Sequence, residues 1–523
     1  MKITKRILLT ALIAFVPLVL AQESDTDTNS ETDSEPADKP FAESANKPAA
    51  GLSTENTPES KQVSSAPEEL KTIDPTKLGF TSIGQMKTRS ASEIGSSMWS
   101  IGGETLDRDF AVYDNYKSYL GKLGAKGIRL QGGWAKCEKQ PGVYSWEWLD
   151  KVVDDALSQG VQPWIQTSYG NPIYNGGGTT GLGGSLPSSP EALAAWDNWV
   201  RALVQRYKDR VKEWEIWNEP DLNAKHPTIG SPVTAEDYAK LFIRTAEIIR
   251  QEQPGAKIYG LALAGEETFA TEFLIWLKVL GKTDLLDAVT VHGYPANPDE
   301  FTPNRMQKLL KTHAPKVAVR QGETGAPSKS SKMGAMSDKP WTEVKQAKWN
   351  LRRMMQHNGR NIPFNLFTLV DLKYAQSDMK GMNRKGLLFA NDDMTVARPK
   401  LSYLAAQNVF SIFDDSFQPA KILKGPAPEI SLFSYQKKDS NQAVVTAWIN
   451  SAPASESVET TPKDITVPGV VFTDPVYVDL ISGKVYRIPK DQWSSDKKNT
   501  TFTKLPLWDC PIAIAEASLI PLK

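Results

Sequence analysis

Cysteine is nearly absent from this 523-residue chain, with only Cys137 and Cys510. Two thiols so far apart make no disulfide framework and offer no metal-ligand spacing, so both are expected to be buried. Histidine is scarce too. His226, His292, His313 and His357 form neither an i,i+4 pair nor an HExxH, so no metal site is expected. No GxGxxG leads directly from a predicted strand into a helix, and no GxxxxGK[ST] occurs. Dinucleotide and phosphate-cradling readings therefore find no support, and no cofactor is expected. An excess of one charge is also lacking: Lys+Arg and Asp+Glu stand at 61 each. No global field points to nucleic acid or to an anionic membrane.

Long apolar runs are missing except at the start. Ile7–Leu20 follows Lys2, Lys5 and Arg6, is short for a stable span, and ends in Val19-Leu20-Ala21. This is the pattern of a signal peptide (1–21) cleaved after Ala21. The expected location is secreted or periplasmic, without membrane insertion after cleavage. Residues 22–70 are acidic, rich in Ser, Thr and Pro, and poor in large apolar side chains. Such a stretch buries too little surface to offset its ordering entropy and is expected to be a disordered linker.

What is present is a repeat of short apolar runs and amphipathic helices. The predicted strands are 96–103, 126–131, 161–167, 211–219, 256–263, 286–294, 316–323 and 362–370. A helix follows each, the last near 398–409. Alternation of this kind gives a parallel sheet, and eight units over about 315 residues fit a closed (β/α)8 barrel, assigned to 71–409. Beyond 410 the period changes to two. Ile430–Gln436, Ala443–Asn450, Val476–Ile488 and Pro511–Ala515 read as strands of a β-sandwich at 410–523, with Ser482-Gly483 as a hairpin turn. The segment 75–94 is expected either to pair with that sandwich or to cap the barrel.

Active sites of this α/β class gather at the C-terminal ends of the barrel strands. Strand four ends in Trp217-Asn218-Glu219-Pro220 and strand seven in Gly322-Glu323-Thr324-Gly325. Two carboxyl groups facing each other across a barrel mouth, Glu219 and Glu323, suit retaining glycosidic cleavage, one as acid/base and the other as nucleophile. Glu104 and Asp371, also near strand ends, are the rivals of Glu323. Strict alternation cannot turn both Asn218 and Glu219 inward, so a bulge or twist is expected there. Glu213 and Glu215 fall on the face of Glu219 and are expected in the barrel interior. Trp134, Tyr169 and Trp217 are sugar-stacking candidates by loop position. Glu104, Asn171 and Lys373 are polar groups that could read hydroxyls or a substrate carboxylate.

Trp217-Asn218-Glu219-Pro220, within the longer WEIWNEPDL, resembles the acid/base motif of glycoside hydrolase clan A. The likeness spans about residues 95–409, and its layout is similar to family 39 and neighbouring families. It implies that Glu219 is the acid/base and Glu323 the nucleophile, that Arg129 keeps the nucleophile ionised, that Asn218 bonds the sugar 2-hydroxyl, and that His292 and Tyr294 line the subsite. The implied partner is a polysaccharide or oligosaccharide. A non-catalytic carbohydrate-binding barrel and an inverting enzyme remain alternatives; oligomeric state is not legible.

Overall fold

A computed structural model describes residues 72–225, 232–375, 380–425, 427–450 and 453–523. The predicted signal peptide, the whole of the linker and His226 lie outside them. Eight parallel strands close into a barrel in chain order: Trp99–Gly102, Gly127–Gln131, Gln162–Thr167, Glu213–Ile216, Lys257–Leu263, Ala288–His292, Ala318–Thr324 and Phe364–Leu366. Strand eight pairs with strand seven and, at Phe364 opposite Trp99, with strand one. The helices between them start where the sequence supplies caps. Ser189, Thr234 and Thr342 each accept a hydrogen bond from a first-turn N–H, at Ala192, Asp237 and Lys345. Their apolar stripes, such as Trp196, Trp199, Val200 and Leu203 on Pro190–Tyr207, are buried in the core.

The second layer is antiparallel. A seven-stranded sheet runs in the order Thr81–Gln85, Lys484–Arg487, Pro475–Asp479, Ile512–Glu516, Ala443–Ile449, Ile430–Lys437 and Phe417–Lys424. A three-stranded sheet holds Thr461–Pro468, Asn499–Leu507 and Trp493–Ser495. Gly483, at φ +72°, turns the chain between Asp479 and Lys484. The expected barrel range 71–409 shifts at both ends, and of the two alternatives for 75–94, pairing with the sandwich is the one observed. Thr81–Gln85 pairs with Lys484–Arg487 and so belongs to the sandwich, while the last barrel helix runs on to Ile412. Five residues exposing alternate positions carry no signal that names their partner strand.

The helix Glu343–Asn358 joins the two layers. Its sequence is polar, yet Lys348, Arg352 and Arg353 are fully buried. Lys348 Nζ donates to Asp509 Oδ1 at 2.6 Å, Arg352 Nε to Asp299 Oδ2 at 3.0 Å, and Trp448 Nε1 to Asp299 Oδ1 at 2.8 Å. The sandwich covers the face that a lone barrel would leave to water. Both cysteines are buried and unpaired.

Candidate active site

Strand four stops at Ile216. Trp217 (φ +62°) and Glu219 (φ +48°) then take left-handed conformations that side chains adopt at a cost of roughly 1–3 kcal/mol each. This breaks the two-residue alternation and sends both Asn218 and Glu219 into the mouth. The neighbouring strand five is bulged at Leu261 (φ +73°) and Ala262 (φ +41°). The bulge presents the Ala262 carbonyl to the Glu219 N–H at 3.1 Å. Asp221 ties down the end of strand five by accepting the N–H groups of Ala264, Gly265 and Glu266.

Glu219 Oε1 lies 2.6 Å from His292 Nδ1. Glu323 Oε1 accepts from Tyr294 Oη at 2.5 Å and its Oε2 from Arg129 Nη1 at 3.1 Å. His292 Nδ1 also stands 3.7 Å from Glu323 Oε2. One ligand-type atom from each of Glu219, His292 and Glu323 lies within 4.8 Å of the other two. Such a trio could in principle hold a cation, but its atoms already serve the hydrogen bonds just given.

Arg129 is the hub. Its Nη1 also reaches Glu104 Oε1 at 3.0 Å, its Nη2 reaches Glu215 Oε2 at 2.6 Å and Asn218 Oδ1 at 2.9 Å, and it is wholly buried. Glu215 is further held by Gln166 Nε2 at 2.7 Å and by the Thr290 hydroxyl. It is an interior carboxylate, as its place in the alternation predicts. Glu213 is not: it sits part-exposed, 3.4 Å from Arg320.

These surroundings drive the two glutamates apart. Burial raises the Glu219 pKa, and His292 only partly offsets it. For Glu323 burial also pushes upward, but His292, Arg129, Tyr294 and Lys385 outweigh it and hold the group below the usual carboxylate range. Burial pushes Glu104 up to about 7 against the pull of Arg129, with the Glu323 charge adding to the rise. His292 is raised: its desolvation is outweighed by Glu323 and Glu219. One carboxyl shifted toward the protonated form beside one shifted toward the ionised form is the divergence that acid and nucleophile chemistry uses.

Glu219, Glu323, Arg129, Asn218, His292 and Tyr294 thus meet at one place. Three other expectations need correction. Trp134 is fully buried, stacked between Tyr174 and Trp199, and its Nε1 donates to Glu138 Oε2 at 2.5 Å. No face is left for a sugar. Asn171, also fully buried, donates to the Glu138 carbonyl and accepts from the Ile173 N–H, so it shapes a loop. Lys373 is exposed and donates to the Asp392 carbonyl at 2.6 Å, away from both carboxylates' partners. Tyr169 reaches the site by its hydroxyl, which accepts from Asn218 Nδ2 at 2.9 Å, while Arg108 covers its ring at 4.9 Å. Trp217 is only 1% exposed and packs on Trp196. Asp371 is spent on Lys400 and Arg384. The Gly176–Gly184 loop is pinned by backbone bonds such as Asn171 N to Gly177 O and Thr179 N to Ser185 O.

Two groups at the mouth were not foreseen. Tyr374, on the ribbon Leu372–Ala375, stacks edge-on against Phe110 and feels the charges of Glu323 and Glu219. Lys385, just past the paired strand Lys380–Asn383, stands over the Tyr294 ring at 5.0 Å. Neither lies at a strand end of the barrel, so strand counting could not find them.

The chain is similar to known proteins in part of its sequence and in its fold. The sequence model described as Glycosyl hydrolases family 39 matches residues 133–320. A β-xylosidase of Geobacillus stearothermophilus is 23% identical over 191 residues, covering 35% of this chain and 37% of that one. A β-galactosidase of Geobacillus kaustophilus is 31% identical over 104 residues, 16% of either chain. The chain therefore spans well under half the length of the curated relatives it matches. In fold it is similar to a family 39 glycoside hydrolase from Bacteroides cellulosilyticus WH2, with TM-score 0.59, 18% identity, and coverage of 80% of this chain and 81% of that one. A family 39 β-xylosidase from Caulobacter crescentus gives TM-score 0.53 at 16% identity, covering 83% and 97%.

Proposed function

We propose that this chain, similar in part of its sequence and in its fold to family 39 glycoside hydrolases, is a secreted retaining glycosidase that cleaves β-glycosidic bonds in a polysaccharide or oligosaccharide. The observation that carries the reading is the Glu219–Glu323 pair. Its nearest ligand atoms lie within 4.8 Å, and its pKa values are driven in opposite directions. That spacing supports direct attack; an inverting enzyme needs about 6.5–9.5 Å to seat a water.

In the first step the Glu323 carboxylate attacks the anomeric carbon while Glu219 gives its proton to the departing oxygen. The glycosidic bond breaks and a glycosyl ester forms on Glu323. Glu219, now ionised, takes a proton from water; the water oxygen bonds the anomeric carbon, and Glu323 leaves with its electron pair. His292, 2.6 Å from Glu219, holds that carboxyl in place through both steps. Asn218 presents the amide that meets the sugar, fixed by Arg129 and Tyr169. Export is supported by the basic, apolar and small-residue pattern of residues 1–21.

The test is incubation with 2-deoxy-2-fluoro aryl β-glycosides followed by peptide mass mapping. A stable adduct on Glu323, absent from Glu323→Gln, is expected. Turnover of natural glycans with inverted anomeric product would overturn the retaining reading.

A further inference from the structure

Resting on that reading, we propose that Lys385 is a specificity residue whose ammonium binds an anionic substituent, carboxylate or sulfate, on the sugar held between Glu219 and Glu323. Lys385 is 1% exposed. Its backbone is fixed, with the N–H donating to Asn383 Oδ1 at 3.2 Å and the carbonyl accepting from Gln346 Nε2 at 3.3 Å. The side chain runs to the Tyr294 ring, whose hydroxyl bonds Glu323. Gly334 (φ +82°) faces the ammonium with hydrogen alone, since a Cβ there would sit 2.8 Å from Nζ.

What sets this lysine apart is how little its charge is used. Lys348, Lys400 and Arg352 are as deeply buried, and each holds a carboxylate within hydrogen-bond reach, Asp509, Asp371 and Asp299 respectively. At the mouth, Arg129 is committed to Glu104, Glu215, Glu323 and Asn218, and Arg108 to Asp107 and Gln131. None of the described side chains hydrogen-bonds Lys385 Nζ. A desolvated cation without a counter-ion is costly. Burial accordingly lowers its pKa to about 8, with Glu323 and Glu219 acting against the fall. Three unspent N–H donors beside the reacting carboxylates are a place where an anion regains what desolvation removed. A sugar hydroxyl offers no compensating charge.

The experiment compares kcat/KM for 4-nitrophenyl β-D-glucuronide, the 6-sulfate of 4-nitrophenyl β-D-galactoside, and their neutral parents, in wild type and Lys385→Met. Lys385→Gln replaces the Met variant if that fails to fold. The expected result is a fall of about ten- to a hundredfold in the preference for one anionic substrate over its parent, with the loss on the anionic partner. Which arm responds tells carboxylate from sulfate. An equal fall on charged and neutral substrates, or no preference in wild type, overturns the proposal. Calorimetric binding of D-glucuronate and galactose 6-sulfate against glucose and galactose needs no turnover. Anion preference lost in the variant, without hydrolysis of any glycoside, would sink the enzyme reading and leave the anion site standing. Equal binding of charged and neutral sugars would sink the site.

Discussion

The mouth of the barrel and the seam under the helix Glu343–Asn358 both bury ionic groups, and they arrange them differently. At the seam cations and anions are matched, Lys348 to Asp509 and Arg352 to Asp299, with Trp448 completing Asp299. At the mouth three carboxylates, Glu104, Glu215 and Glu323, crowd one guanidinium, and Glu104 Oε2 is left without a partner. Matched charges fix one layer against another and need titrate nothing. Mismatched charges shift pKa values, which an acid and a nucleophile require. Buried ionic density alone therefore does not mark a site; imbalance does.

The comparison breaks most plainly if the mouth can lose a carboxylate without consequence. Glu219→Gln should cost roughly 10²–10⁴-fold in kcat on an aryl glycoside with a poor leaving group. Glu323→Gln should cost at least as much, with circular dichroism unchanged for both. Retained turnover in either would assign the chemistry elsewhere.

At the seam the expected loss is in stability. Lys348→Met leaves Asp509 buried and unpaired and should lower unfolding stability by about 3–5 kcal/mol. The double variant with Asp509→Leu should recover most of it, as read by urea denaturation. A single variant as stable as wild type would show the seam pair to be ornamental.

Glu104 sharpens the contrast through pH. Its folded pKa, about 7, lies above the unfolded value, so the native state binds more protons between roughly pH 4.3 and 7. Stability from this group is therefore largest in acid and falls as pH rises through that window. Glu104→Gln, isosteric with the protonated acid, should gain melting temperature relative to wild type from pH 4.5 to 7.5. A constant offset would contradict the mismatch. The smallest effect is expected for Tyr169→Phe. It removes one hydrogen bond to Asn218 and should lower kcat about tenfold, with little change in melting temperature. A fall in stability without a fall in kcat would make Tyr169 a packing residue only.

Much of the fold and site was legible in the chain. Seven of the eight strands lie within the predicted runs and the seventh, Ala318–Thr324, passes its run by one residue, because a buried parallel strand is a short apolar segment, and its helix announces itself by caps and stripe. Glu219 and Glu323 followed from counting, since strand ends map to the mouth. Arg129 and His292 came from the likeness to clan A, matched by strand end. The errors share a cause. Trp134 and Asn171 sit at loop positions that also suit a site, but the sequence does not tell which way a loop side chain turns. Both turn toward Glu138. Lys373 and Lys385 are twelve residues apart with the same chemistry. The ribbon after strand eight exposes the first and carries the second inward.

The sequence by itself determined the periodic elements, their order and the two strand-end glutamates, because these depend on spacing along the chain. Tertiary structure decided the rest. It turned Asn218 and Glu219 inward together through two positive φ angles. It put Thr81–Gln85 at the edge of a sheet whose partner strand is about four hundred residues away. It gathered three carboxylates round Arg129 and left Lys385 without one. Each of these depends on which distant groups share a desolvated volume, and desolvation, not residue type, sets whether a buried charge is structural or reactive.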